Sequence, residues 1–320
     1  MQAGCNKRLK GTLGRAISTG WRAFLWMMKI IIPVSFATSL VAWSGCVDSC
    51  DFLLDPVMAL VGLPSIAALP LLIGILAGPY GAIASMAVLP LTVNEMTLIA
   101  VFLLMAHNLI QEGIIQGNSG YHPVKATLVR LLLALLTLFI AAHFVDTSLP
   151  GERNPLAPAA QVPLPFMAMA GAWLSATGTL TVKVFCIIMA IVTFQEILKD
   201  RGWISPFVRS LSPFLRIMGL SEKVGFLWMT AVLFGLSYGG ALIVEETRGG
   251  ALSRNDLETL HLSIGINHSL IEDPVLYLPL GISPFWLWVP RLAIAIVVVR
   301  LFTIWQTVRQ RWRTRSVAEG

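Results

Sequence analysis

Two short blocks hold the residues of this chain best suited to bind a solute or an ion. One runs Asn267-His268-Ser269-Leu270-Ile271-Glu272-Asp273-Pro274, the other Ala106-His107-Asn108-Leu109-Ile110-Gln111-Glu112-Gly113, and they lie 161 residues apart. His268 and Glu272, four apart, share a helix face, and Asp273 lies one residue round. Pro274 lacks an amide hydrogen, so a helix through it would leave the Leu270 carbonyl without its ladder partner. Freed carbonyls, imidazoles and carboxylates together can hold a cation or a polar solute. His107, Asn108, Gln111, Glu112, Asn267, His268, Glu272 and Asp273 are therefore the candidate binding residues, and His268, Glu272 and Asp273 the candidate metal ligands. The plainer reading has His268 and Glu272 pair with each other, or with Arg130 or Arg291, as glue between helices.

Other positions could complete such a site. Gly78-Pro79-Tyr80-Gly81 and Gly235-Leu236-Ser237-Tyr238-Gly239-Gly240 each interrupt an apolar run. Their glycines let backbone approach a ligand closely, which adds Tyr80, Gly81, Tyr238 and Gly239 to the candidates. Glu245 reads equally as a buried cation or proton site and as a solvated loop end. Arg130 and Arg291 fall inside apolar runs, where they snorkel to an interface or pair with carboxylates. Trp286 and Trp288 read as interface anchors. Cys46 and Cys50, four apart in an acidic loop, leave a disulfide, a metal pair and two plain thiols all open.

Such residues need a scaffold, and the composition says which kind. Of 320 residues 56% are hydrophobic and 12% charged, with a mean hydropathy of +0.76; soluble domains carry roughly 25% charge. Several apolar runs reach the ~20 residues that cross a bilayer. The chain reads as an all-α polytopic protein of the inner (cytoplasmic) membrane, without a cleaved secretory signal. Its net charge of +6 sits in tails and loops, where it orients helices and does not signal nucleic acid. Zinc-helix, nucleophile-elbow and phosphate-loop motifs are missing, so no enzyme and no cofactor is expected. The expected partners are the lipid bilayer, the solute or cation, and either a second copy or a partner membrane protein.

The runs fall into an order. Residues 1–23 form a basic cytoplasmic tail and 24–144 a first repeat: a spanning helix, an acidic loop, a short interfacial helix, a hairpin with its tip at Gly78–Gly81, and two more spans. Residues 145–179 form an external linker with an interfacial helix at its end. Residues 180–304 repeat the pattern, with the helix of 257–278 broken at Pro274, and 305–320 form a second basic cytoplasmic tail. Hairpin arms of about a dozen residues are too short to cross, so each hairpin reads as re-entrant, which requires surrounding protein or a cavity.

Residues 94–140 align without a gap on 255–301, matching His107 with His268, Gly120 with Gly281, Pro123 with Pro284 and Arg130 with Arg291; Tyr80-Gly81 matches Tyr238-Gly239. The loop after the first helix carries Asp48, Asp51 and Asp55 and no base, whereas its counterpart carries Lys199, Arg201, Arg209, Arg216 and Lys223. Opposite charge places equivalent loops on opposite faces. The expectation is two inverted-topology repeats, each with three spanning helices, one re-entrant hairpin and a short interfacial helix, and both termini cytoplasmic.

The two Asn-x(12)-His blocks, Asn94 to His107 and Asn255 to His268, each preceded by a Tyr-Gly hairpin tip, resemble the nucleoside-recognition (Gate) family of membrane proteins. That family includes spore maturation proteins A and B and the membrane core of ferrous-iron transport protein B. The chain has no GTPase domain and no copy of the nucleoside carriers' substrate motif. The resemblance implies a transporter-like fold moving a nucleoside, a divalent metal ion or a small organic anion between two broken helices and the hairpin tips; alternatively, it implies a non-transporting scaffold or assembly partner that keeps the fold.

Overall fold

The structure, a computed structural model, describes residues 2–46, 49, 51–147, 151–157, 165–203, 206, 210–248 and 252–318. Helices dominate, and no strand occurs among the described residues beyond an isolated bridge between Thr92 and Arg153. The first half contains α1 (Gln2–Trp43), α2 (Asp51–Met58), α3 (Ala68–Ala77), α4 (Pro79–Val88), α5 (Val93–Ala106), α6 (Leu109–Asn118) and α7 (Pro123–Phe144). The second contains α8 (Phe166–Asp200), α9 (Ser212–Met218), α10 (Glu222–Arg248), α11 (Arg254–Asn267), α12 (Glu272–Tyr277) and α13 (Pro284–Ala318). Five helical stretches among the described residues are long and apolar enough to cross a membrane, or six if a pair bent by 85° (Asp51–Val61 with Ser65–Ala77) is one span. The protein is an all-α, multi-pass membrane protein.

Apolar residues surround α1, α7, α8 and α13 on their outer faces, with Leu25, Ile32, Leu132, Phe139, Val182, Val297 and Leu301 exposed. In a membrane, lipid covers these. The core lies within: every residue of α5 from Met96 to Ala106 is buried, and so is α4 apart from Tyr80. A helix apolar on all sides belongs in such a centre. Starts are set locally. Thr92 and Glu95 form a capping box at α5, with Glu95 N donating to Thr92 Oγ1 at 3.2 Å and Thr92 N to Glu95 Oε2 at 2.6 Å. Ser253, its repeat counterpart, accepts from Asp256 N at 3.1 Å at α11. Each cap satisfies amides that the first helical turn leaves open.

The long helices α1 and α8 pack side by side and antiparallel. Arg15 reaches Asp200 at 3.1 Å near one end, Trp173 Nε1 donates to Ser35 Oγ at 3.0 Å further along, and Trp43 meets Phe166 at 5.8 Å at the other end. Three helices run past the bounds expected of their apolar segments. The expected tail 1–23 continues α1, with Arg15 tied to α8 instead of free in solvent. The expected interfacial helix before 180 is the first third of α8. The expected tail 305–320 continues α13 as far as Ala318. In each case partner contact or simple helix continuation extends the element past the apolar run.

The linker is also less loose than its composition suggests. Val93 N donates to Glu152 O at 2.8 Å and Asn154 N to Leu91 O at 3.0 Å. The buried Asn154 amide donates to Met86 O at 2.7 Å and Leu89 O at 3.1 Å, adding a second donor to carbonyls that also accept the Leu89 and Leu91 amides. Cys46 is exposed; Cys50 lies outside the described residues, as does the side chain of Arg209.

Candidate functional site

Both hairpins turn on a single glycine. Gly78 (φ 87°, ψ −175°) separates α3 from α4, and Gly235 (φ 76°, ψ 172°) kinks α10. This region of backbone space is open essentially to glycine alone. The arms of the first hairpin have ten residues each, about 15 Å, half of a bilayer core. The matching of Gly78 with Gly235 moves the repeat register at the tip by one residue. Tyr80 then corresponds to Ser237 and not to Tyr238, because the conformation that only glycine adopts fixes the turn more strictly than the Tyr-Gly pair does.

The facing helices break at matched places. α5 ends at Ala106, and Asn108 takes a left-handed conformation (φ 46°, ψ 35°) before α6 begins. α11 ends at Asn267, and Ser269 (φ 48°) does the same before α12. The second block was expected to break at Pro274; both breaks instead fall just after the histidine. Pro274 sits in the first turn of α12, where a missing amide hydrogen costs nothing. The breaks are held by the hairpins: Asn108 N donates to Gly74 O at 3.1 Å, Ser269 N to Ala231 O at 3.1 Å and Leu270 N to Val232 O at 3.1 Å. A Cβ on Gly78 would lie 2.6 Å from the Asn108 amide, and one on Gly235 would lie 2.8 Å from Ser269 Oγ.

The carbonyls released at each break meet an arginine. Arg130 donates from Nε to Met105 O at 3.0 Å and from Nη2 to His107 O at 2.9 Å. Arg291 donates in the same way to Ile266 O and His268 O. Both arginines are 2% exposed, so neither snorkels to an interface. The Leu270 carbonyl accepts from Trp288 Nε1 at 2.9 Å, which makes Trp288 part of the break.

Within this frame the two imidazoles face each other. His107 Nε2 and His268 Nε2 stand 3.1 Å apart, and Glu112 Oε1 lies 3.1 Å from each of them. Asp273 Oδ2 lies 3.4 Å from His107 Nε2. Arg130 Nη1 holds the other Glu112 oxygen at 2.8 Å. Each histidine's Nδ1 lies close to a carbonyl one turn back, at 2.7 Å (Leu103 O) and 2.9 Å (Ile264 O). A carbonyl only accepts, so both Nδ1 atoms carry hydrogen, and a neutral ring must then present its Nε2 lone pair inward. Two imidazole lone pairs and two carboxylates converge on one buried spot.

A cavity of about 210 Å³ opens beside this cluster. Eight of the expected site residues line it: Tyr80, His107, Asn108, Gln111, Glu112, His268, Glu272 and Asp273. Tyr80 OH donates to Glu272 Oε1 at 2.6 Å, joining the first hairpin to the second broken helix. Trp26, Ile115 and Ser269 also line it and were not anticipated, since an apolar or hydroxyl residue carries no chemical signal of its own. The remaining expected residues lie elsewhere. Gly81 is buried in α4 against Ile73. Tyr238 and Gly239 lie in the second arm of α10, past the tip. Glu245 is exposed, which removes the buried reading for it. Asn267 is fully buried, but its amide has no hydrogen-bond partner and does not face the cavity.

A membrane protein of Bacillus subtilis (strain 168), the uncharacterized membrane protein YvoD, is 26% identical over 298 residues, which cover 93% of this chain and 94% of that one. No family model and no solved structure matches the chain, so the Gate likeness stands on its residue motifs alone.

Proposed function

We propose that this membrane protein is a carrier that moves a small polar solute or cation through a site shared by two mirror-related halves. The observation that carries this reading is the buried His107–His268–Glu112–Asp273 cluster, open to a polar-walled cavity between two broken helices. Ionisable groups at membrane depth are costly and mark solute and ion pathways. Discontinuous helices from repeated halves, meeting near the midplane, are the usual architecture of such sites. The antiparallel packing of α1 against α8 supports the inverted relation, because these helices open their respective halves. The tips at Gly78 and Gly235 each touch the break of their own half, so movement of a hairpin would open or close the cavity. A scaffold that merely kept this fold would have no use for an open cavity lined by ionisable groups.

The test is uptake into proteoliposomes of a panel of nucleosides, divalent cations and organic acids. Glu272→Gln keeps the volume of the side chain and weakens its contact with Tyr80; a carrier should lose at least about tenfold in uptake rate while its melting temperature holds. Uptake of no panel member by the unaltered protein, with the cavity present, would favour the scaffold.

A further inference from the structure

We propose that the cluster between the two helix breaks is a binding site for a divalent transition-metal ion, and that such an ion is the cargo. This inference rests on the carrier reading for the word cargo, but not for the site itself. His107 Nε2, His268 Nε2 and a carboxylate oxygen of Asp273 all lie within 4.8 Å of one another, and all three residues are buried. Ligand atoms placed tetrahedrally about 2.0–2.1 Å from one ion stand roughly 3.3 Å apart. Two of the three separations match, 3.1 Å between the imidazoles and 3.4 Å from His107 to Asp273; the third, from His268 to Asp273, is wider but within 4.8 Å. Glu112 Oε1, 3.1 Å from both imidazoles, stands beside them as an alternative carboxylate ligand.

Three further observations point to an ion. A metal-bound histidine almost always donates its other ring nitrogen to a carbonyl or carboxylate. Here both do so, to Leu103 O and Ile264 O, before any ion is bound. Asp273 Oδ2 is buried and accepts no hydrogen bond. Finally, lone pairs pressed within 3.1 Å of one another repel unless something positive lies between them. Two imidazoles with carboxylate suit zinc, iron, cobalt or manganese better than magnesium or calcium, which prefer oxygen alone. Of the nearby guanidiniums, Arg130 is committed to Glu112 and two carbonyls and Arg291 to two carbonyls, with Arg291 Nη1 left without a hydrogen-bond partner. Their charge offsets two carboxylates, so the site should hold its ion moderately, as a carrier that releases it requires.

Cobalt(II) serves as the probe, because its visible absorption reports coordination number and nitrogen ligation. Titration of the purified full chain in detergent should give one tetrahedral, imidazole-ligated cobalt per chain, displaced by zinc and not by magnesium. His268→Gln and Asp273→Asn should each weaken binding at least about tenfold. Should either variant fail to fold, the wild-type spectrum still decides. Absence of a ligated cobalt spectrum, displacement by magnesium, or binding unchanged in a folded His268→Gln protein overturns the site; the last outcome includes the case in which a proton alone bridges the two rings. Zinc flux into proteoliposomes then separates the two readings. Ligated cobalt without zinc flux keeps the site and ends the metal as cargo, whereas flux of another solute without ligated cobalt keeps the carrier and ends the site.

Discussion

Arg130 shows how one side chain couples the site to the fold. Its guanidinium closes the end of α5 through two carbonyls and fixes Glu112 so that Oε1 turns to the histidines. Removing one member of a buried ion pair costs about 3–5 kcal/mol, because the other is left charged without water. Arg130→Met should therefore lower the melting temperature sharply. Combining it with Glu112→Gln should recover a large part of the loss, since the orphaned charge is gone. Thermal denaturation of the two single variants and the double variant measures the coupling; strict additivity would show that the pair contributes nothing of its own. The match of Arg130 with Arg291, and of His107 with His268, is visible in the bare sequence. What the arginines do is not, because their carbonyl partners exist only where the helices break. Nothing at Asn108 or Ser269 announces a break: asparagine tolerates left-handed backbone, but most asparagines do not adopt it.

At the level of elements, the two tip glycines and Asn154 carry the weight. Gly235→Ala would place a Cβ 2.8 Å from Ser269 Oγ in a conformation reserved for glycine. A loss of about 1–3 kcal/mol is expected, together with distortion of the second break. The control is Gly171→Ala in α8, where the added methyl meets nothing within 4 Å and the change should be neutral or stabilising. Equal melting temperatures for the two variants would refute the strain argument. Asn154→Ala removes two buried hydrogen bonds, to carbonyls that keep the Leu89 and Leu91 amides, and should cost about 1–3 kcal/mol. The hairpins themselves were legible, because Gly-rich interruptions in arms too short to cross allow little else. The role of residues 151–157 was not, since a Pro- and Ala-rich stretch gives no periodic signal when it is held by backbone bonds to a neighbour. The start of α8 was missed for a related reason: Gly171, Ser175 and Gly178 dilute its hydropathy, and packing against α1 overrides that dilution.

For the molecule as a whole, everything depends on the two halves facing opposite ways. The sequence carries this as charge: an acidic loop after α1, a basic one after α8. The structure adds the antiparallel contact of those helices, from Arg15–Asp200 at one end to Trp43–Phe166 at the other. An inverted relation of the halves would let the same short motif, read twice, deliver His107 and His268 to one point from opposite sides. Cysteine labelling tests this in intact cells. In a background of Cys5→Ser, Cys50→Ser and Cys186→Ser, the exposed native Cys46 follows α1. Arg201→Cys in the same background, with Cys46→Ser, marks the exposed equivalent position after α8. A membrane-impermeant maleimide should reach Cys46 from outside and should modify the Arg201→Cys protein only after the membrane is opened. Labelling of both from the same side would place the two loops on one face and end the inverted relation of the halves.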